Sequence, residues 1–339
     1  MPTTTRQIIM KSRPEGWVTP QAFGLREIVL DDPGEGEVLV RAIYMSLDPY
    51  MRGRMDAAKT YASNFQIDQP LKARVIGEVA ASNHSNFKSG DLVFGMLDWA
   101  DYTLLPSADG LRLIDSELAP LPYYLGVLGM PGMTAWIGME MGNPQPSETV
   151  FVSAASGAVG QVVGQIGKIR GCQVVGSAGS DEKAAFLTGE LGFDAAFNYK
   201  SCPDVLQALQ QHAPDGLDMY FDNVGGVILE AALDHANSFA RFIQCGMISQ
   251  YNLSRDQTPG IRNLTHINRK RIRMEGFIIG DHADRLHEFM AEMAGWLKSG
   301  AVKYRIHTTD GLENAPDAFI AMLKGGNFGK QVVRIGDAP

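Results

Sequence analysis

Cysteine is scarce in this chain of 339 residues: Cys172, Cys202 and Cys245 lie far apart, with no CxxC pair among them. An odd, scattered set suggests neither a disulfide framework nor a cysteine-rich zinc site, and reads as ordinary buried or half-buried thiols. Positive charge is also in short supply. The formal net charge is −8 and no basic patch stands out, which argues against a nucleic-acid partner, because phosphate backbones are met by basic surfaces. No run of about 18 apolar residues is present to cross a bilayer. The opening words MPTTTRQIIMKSRPEGW lack the apolar core of a signal peptide. No membrane partner is expected, and the cytoplasm is the default location. Internal repeats and low-complexity segments are missing. The histidines are scattered, with no neighbouring Ser or Cys nucleophile motif, so a hydrolytic triad finds no support.

What is present is apolar material, 45% of the residues. Single cores seldom keep growing past about 250 to 300 residues, so two domains are expected. From Gly36 to about Leu105, short β-rich runs such as GEVLVRAIYMSLD, ARVIGEVAAS and GDLVFGM alternate with turn residues, the texture of a compact barrel-like β domain. After Leu121 and Pro122 the texture changes. The words ETVFVSA, CQVVGSA, AAFNY, LDMYFDNV, ARFIQCG and IRMEGFII read as strands, with helices from about Gly157, Asp181, Pro203, Val227 and Ala283. This is an α/β pattern, a doubly wound parallel sheet. From about Ser299 a short strand (KYRIHT), a helix over Ala315 to Leu323 and a last strand (KQVVRI) are expected to return to the first domain. The expected boundaries are therefore residues 1–122 with 299–339, and residues 123–298.

The word VSAASGAVGQVVG has the form of a strand end, a glycine turn and a helix start, with Ala154, Gly157 and Gly160 at the spacing AxxGxxG and Ala155 replacing the first glycine of GxGxxG. A bound pyrophosphate needs close backbone approach and a helix N-terminus with partial positive charge, and this segment offers both. The competing reading is that the glycines serve only tight helix–sheet packing. Near the end of the second strand an acidic residue would select a free ribose. Ser177, Ala178 and Gly179 stand there instead, followed by Lys183, which favours a 2′-phosphate and so NADPH over NADH. Asp181 and Glu182 cut against this, unless they complement the helix dipole.

Taken together, SLDPYMRGRM, VLGMPGMTAWIGM, SAASGAVGQVVGQIGK, GSAGSDEKAAFL, FNYK, DMYFDNVGG, CGMISQYN, MEGFIIGD and GGNFGKQVVRI resemble the zinc-independent medium-chain dehydrogenases/reductases. The branch is that of prostaglandin reductase (leukotriene 12-hydroxydehydrogenase) and the alkenal double-bond reductases. The resemblance implies a Rossmann domain and a GroES-like β-barrel domain completed by the C-terminal segment, a homodimer, and an interdomain cleft for NADPH and a small enal or enone. It implies that Gly157, Ala158, Val159 and Gly160 line the pyrophosphate turn and that Lys183 and Tyr199 contact the adenosine phosphate. Asn223, the loop Cys245, Gly246, Met247, Ile248, Ser249 and Tyr251, and the segment Phe277, Ile278 and Ile279 would follow successive strand ends beside the cofactor. Met130 and Thr134 would flank the nicotinamide, and Asn327 would be a cofactor-binding asparagine. Two of these have plain structural alternatives: Asn223 as a turn residue and Phe277 as core. The zinc-dependent relatives hold metal with Cys and His ligands; here Ser46 and Asp48 occupy the first such loop, no GHE word follows and no cysteine precedes Cys172, so no metal is expected.

The activity so implied is 2-alkenal/enone reduction, with hydride delivered to the β-carbon and negative charge developing on the carbonyl oxygen. Tyr50 and Tyr251 are the candidate donors to that oxygen, because a phenol stays protonated at neutral pH. Each has a bland alternative, an aromatic anchor beside a Pro turn for Tyr50 and a turn tyrosine on the sheet edge for Tyr251. Met51, Met130, Met133 and Met247 would give a flexible apolar wall, although core filling is the ordinary role of methionine. Quinone reduction with the same cofactor, and an NADPH-binding redox sensor with incidental turnover, are the alternatives.

Overall fold

The computed structural model describes residues 2–58 and 62–338. Contacts divide the chain into two compact units, residues 1–125 with 306–327 and 331–339, and residues 126–305 with 328–330.

In the first unit β1 (Thr3–Met10) and β2 (Phe23–Leu30) pair antiparallel, Thr3 opposite Leu30 and Met10 opposite Phe23. Strands β3 (Val38–Ser46), β4 (Lys72–Ser82), β5 (Leu92–Asp98), β6 (Tyr102–Leu105) and β7 (Arg112–Leu113) follow, with the single-turn helix α1 (Met51–Arg54) after β3. Their β-branched and aromatic content suits half-buried antiparallel strands.

The second unit opens with helix α2 (Met130–Gly142) and then alternates β8 (Thr149–Val152), α3 (Gly160–Ile169), β9 (Gln173–Ala178), α4 (Asp181–Gly189), β10 (Ala195–Asn198), α5 (Val205–His212), β11 (Leu217–Asp222), α6 (Gly226–His235), β12 (Ala236–Gln244), α7 (Thr265–Lys270), β13 (Arg273–Gly276) and α8 (Leu286–Ser299). All pairings are parallel and the order is β10-β9-β8-β11-β12-β13, the doubly wound arrangement with its switch point between β8 and β11. Strand β8 reads TVFV and is buried at every position, as a strand covered on both faces must be. Phe151 stacks on Tyr220 and on Phe197 at ring separations of 5.0 and 6.1 Å, tying three strands together beneath α5 and α6.

The chain then supplies β14 (Ile306–Asp310), α9 (Ala315–Leu323) and β15 (Lys330–Arg334). The first unit's larger sheet runs β14-β15-β3-β4-β5-β7, with β6 also on β3. Phe319 of α9 meets Trp99 edge-on at 6.0 Å, so the returning segment fills the first unit's core.

Several boundaries differ from the sequence reading. The return begins at Ile306 rather than about Ser299, and Phe328–Lys330 goes with the second unit, where the Gly329 N–H donates to the Ser156 carbonyl at 3.2 Å. Helix α3 starts at Gly160, not Gly157, because the turn occupies the residues between. Helix α8 starts at Leu286 instead of about Ala283, since residues 279–285 form a kinked 3₁₀ turn. Helix α2 was not expected: Pro131 and three glycines depress its propensity, but Gly138 and Gly142 let it lie against Phe221 and Met219 of the sheet, and that burial prevails.

Candidate functional site

In an open α/β sheet ligands bind outside the carboxyl ends of the strands. Between β8 and α3 the Ala155 N–H donates to the Ser177 carbonyl and the Gly157 N–H to the Ala154 carbonyl, both at 2.9 Å. A β-carbon on Gly160 would stand 2.5 Å from the Ala154 carbonyl oxygen, so this glycine is needed for the turn to fold against the helix. The packing alternative is thus part of the truth for Gly160. No side chain caps α3, whose flanking residue is Val159. The Gln161 and Val162 N–H groups turn back to the Gly157 and Val159 carbonyls at 3.2 and 3.0 Å, so what this helix N-terminus offers an anion, beside residues as small as Gly157 and Ala158, is its partial positive charge. Gly157 also forms a bridge with Gly329, whose φ of +87° suits glycine. The GGNFGK word is thereby tied to the turn through Gly329, while Phe328 meets Phe186 of α4 edge-on at 5.0 Å, two positions the sequence reading passed over; Asn327 itself belongs to the first unit's returning segment.

At the end of β9, Ser180 caps α4 by accepting from the Lys183 N–H. A β-carbon on Gly179 would be 3.4 Å from Lys200 Cε, 3.5 Å from Tyr199 Oη and 3.6 Å from Lys200 Nζ, so a phenol and an ammonium converge on this glycine. Burial, and then the charge of Lys200, push the Lys183 ammonium below the ordinary lysine range. Burial raises the Tyr199 phenol. Two cations close enough to disfavour each other form a place where a bound anion is welcome. Asp181, the acid that complicated the reading, accepts from Asn198 Nδ2 at 2.9 Å. Lys200 was missed in the sequence; its only signal is its place directly after Tyr199 in FNYK.

The loops after β11 and β12 interlock. Asn223 donates from its backbone N–H to Ser153 Oγ at 3.0 Å and from Nδ2 to the Ser153 carbonyl at 2.8 Å, so its amide ties the turn to the end of β8. The N–H groups of Cys245 and Gly246 donate to the Asp222 carbonyl at 2.9 and 3.0 Å, and that of Ile248 donates to the Asn223 carbonyl at 3.2 Å. Ser249 Oγ donates to the Val224 carbonyl at 2.5 Å. The Tyr251 hydroxyl accepts the Met247 N–H at 3.2 Å. The sulfur of Cys245 is enclosed although the residue is only part-buried, and that enclosure, with Asp222 adding to it, pushes its thiol up to about 12. Asp222 and Ser153, which no motif singled out, are the buried centre of this arrangement.

Met130 and Thr134 lie one turn apart on α2 and are both half-buried. Phe277 follows β13, is half-buried rather than core, and meets His282 edge-on at 6.4 Å, while Ile278 is exposed. Tyr50, in the first unit, immediately precedes α1 and packs on that unit's core. There Ser46 Oγ donates to the buried Asp48 carboxylate at 2.5 Å. Among the described residues no three His, Cys, Asp or Glu side chains are grouped to hold a metal, and Ser46 lacks the soft donor a zinc site of this kind uses. These residues do not fit zinc.

They do fit a phosphorylated dinucleotide. Beyond the helix N-terminus and the paired lysines, Ser177 Oγ and both polar atoms of Gln244 are buried without partners among the described residues, at the carboxyl ends of β9 and β12. Buried polar atoms are ordinarily satisfied, so such a concentration marks a place that a polar ligand or water completes. No helix among the described residues is long and apolar enough to cross a membrane.

Residues 6–114 match the family model described as the N-terminal domain of oxidoreductase, and residues 158–296 the one described as zinc-binding dehydrogenase, a description whose metal the residues above do not support. The chain is 44% identical to the NADPH-dependent curcumin reductase of Escherichia coli (strain K12), covering 97% of this chain and 96% of the relative. It is 42% identical to the 2-alkenal reductase (NADP(+)-dependent) of Nicotiana tabacum, covering 98% of each. The crystal structure of CurA in complex with NADPH from Vibrio vulnificus superposes with a TM-score of 0.93 at 42% identity, covering 98% of this chain and all of that one. Chain-long identity at this level, a doubly wound sheet in one unit with a β fold in the other, and no zinc donor set among the described residues lead to one assignment: the chain belongs to the medium-chain dehydrogenase/reductase family of oxidoreductases, in the zinc-independent branch of the prostaglandin and alkenal reductases.

Proposed function

We propose that this protein is an NADPH-dependent enone and 2-alkenal reductase. When bound, the reduced nicotinamide supplies a hydride, which goes to the β-carbon of the substrate. The chain's own residues do the rest. Lys183, Lys200 and Tyr199 hold the 2′-phosphate, and the glycine turn with the N-terminus of α3 holds the pyrophosphate. Met130, Thr134, Asn223, the Cys245–Tyr251 loop, Phe277–Ile279 and Asn327 complete the cofactor's surroundings. As the double bond is reduced, charge grows on the carbonyl oxygen. Tyr251 and Tyr50 donate to it. The α-carbon takes its proton from solvent, directly or by relay, and no side chain is assigned as its acid.

The observation that carries this reading is the state of Tyr251. Its oxygen accepts a backbone N–H at the carboxyl edge of the sheet. A hydrogen bond received by a phenol oxygen stabilises negative charge there and so strengthens the O–H as a donor. The relatives named for alkenal and curcumin reduction support the substrate class. A homodimer in the cytoplasm is part of the proposal; β10 and β13 are the edges of the parallel sheet on which such pairing would draw.

Incubation with NADPH and a simple enone, with products separated, tests it. One equivalent of saturated ketone per NADPH consumed is expected. Faster turnover of quinones with no saturated ketone would replace it with quinone reduction, and tight NADPH binding without turnover across carbonyl compounds would make the protein a sensor.

A further inference from the structure

The loop that carries Tyr251 is held by the turn that follows β11. The side chain of Asp222 is completely buried. Its Oδ1 accepts from Tyr220 Oη at 2.7 Å, from Ser153 Oγ at 3.3 Å, and from the N–H groups of Val224 and Gly225, both at 2.8 Å. Its Oδ2 has no partner among the described residues. The turn fixed by Oδ1 then offers its carbonyls to the next loop. The Asp222 carbonyl takes the Cys245 and Gly246 N–H groups and the Asn223 carbonyl takes that of Ile248. The Val224 carbonyl takes both the N–H and the hydroxyl of Ser249. That loop ends at Tyr251, whose oxygen is held by the Met247 N–H.

We propose that Asp222 is a positioning residue: through its single acceptor atom Oδ1 it sets the Asn223–Gly225 turn on the cofactor side and, through that turn, the phenol of Tyr251. Removing the acceptor leaves two buried N–H groups without a partner, so the turn must shift to satisfy them, and three carbonyls that anchor the Tyr251 loop shift with it. The acceptor, rather than the charge, is what this arrangement uses. Burial raises the Asp222 carboxyl while its hydrogen bonds oppose the rise. An amide at this position keeps Oδ1 and places its nitrogen where Oδ2 has no partner.

This inference rests on the proposed role of Tyr251 and is separable from it. The test compares Asp222→Ala with Asp222→Asn by NADPH dissociation constant from cofactor fluorescence, by amide exchange over residues 245–251, and by kcat and KM with an enone. Asp222→Asn is expected to stay within about threefold of wild type in each. Asp222→Ala is expected to raise the NADPH dissociation constant and lower kcat by roughly tenfold each, as loss of a buried acceptor implies, with faster exchange in the loop and KM for the enone unchanged. A folded Asp222→Ala with wild-type affinity and exchange, or an Asp222→Asn as impaired as Asp222→Ala, would overturn the proposal. Should Asp222→Ala fail to fold, Ser249→Ala cuts the hydroxyl bond by which the Val224 carbonyl of the turn holds the loop. Faster exchange over residues 245–251 and a lower kcat are expected, and wild-type exchange and kcat would overturn the proposal. Affinity and exchange judge Asp222 even if the wild-type protein reduces no enone, in which case only the substrate reading falls.

Discussion

A β-carbon on Gly246 would stand 2.8 Å from the hydroxyl oxygen of Tyr251. The glycine is therefore the floor on which the phenol rests. Gly246→Ala must push the tyrosine away, because the atom it meets is the tip of a rigid ring rather than of a flexible chain. A displacement of a few tenths of an ångström at a donor that acts on the transition state is expected to lower kcat about tenfold, and Tyr251→Phe roughly a hundredfold. Steady-state kinetics with an enone checks this. Because both residues belong to the loop proposed to lie beside the cofactor, NADPH affinity should fall as well, but by less than kcat; equal kcat in all three proteins would remove Tyr251 from the reaction.

The Lys183–Lys200 pair gives a second expectation. Replacing either by Ala should weaken NADPH by roughly tenfold or more while NADH changes by less than about threefold, since charge-assisted bonds to the 2′-phosphate are lost only for the former. The pH dependence has a definite sign. Burial and its neighbour lower Lys183 from 10.5, so its proton leaves at a lower pH than that of an exposed lysine. NADPH affinity should fall as pH rises into that range, and NADH affinity should not follow it. Titrations of both cofactors against pH provide the check.

The thiols should differ sharply in reactivity. With its thiol pushed up to about 12, Cys245 carries at pH 8 only about one thiolate in ten thousand molecules. Cys172 is buried and raised as well, and Cys202 is part-exposed. Alkylation of the native protein followed by peptide mapping should find label on Cys202 and spare the other two until denaturant is added. Rapid labelling of Cys245 at pH 8 would show that its loop opens in solution.

The glycine turn should tolerate little. Gly160→Ala places a methyl group against the Ala154 carbonyl oxygen and Ala155 Cα, at 2.5 and 2.7 Å. Overpacking of this kind is expected to cost about 1 to 3 kcal/mol of stability. NADPH affinity should fall as well, and thermal melts with and without cofactor separate the two effects.

The parallel sheet was legible because its strands are short apolar runs such as TVFV and MYFD, each followed by a turn word, and the period of the pattern does not depend on distant partners. Helix α2 was hidden because local propensity argued against it; only the sheet packed behind Gly138 and Gly142 explains its existence. Candidate site residues carried by the words of the family resemblance, such as Lys183, Tyr199 and Tyr251, could be named as expectations. Lys200 and Asp222, proposed from their surroundings, could not, since a lysine after a tyrosine and an aspartate at a strand end have no distinctive spacing. Their importance lies in what converges on them: Tyr199 and Gly179 in one case, Tyr220, Ser153, Val224 and Gly225 in the other.

The most direct measurement follows the hydride itself. The protein is incubated with NADPH carrying deuterium at the transferable C4 position and with an enone, and the product is analysed by NMR. One deuterium on the β-carbon of a saturated ketone is the expected result. Label on the carbonyl carbon of an allylic alcohol, or oxidised cofactor with no deuterium in any carbon product, would contradict delivery of hydride to the conjugated double bond.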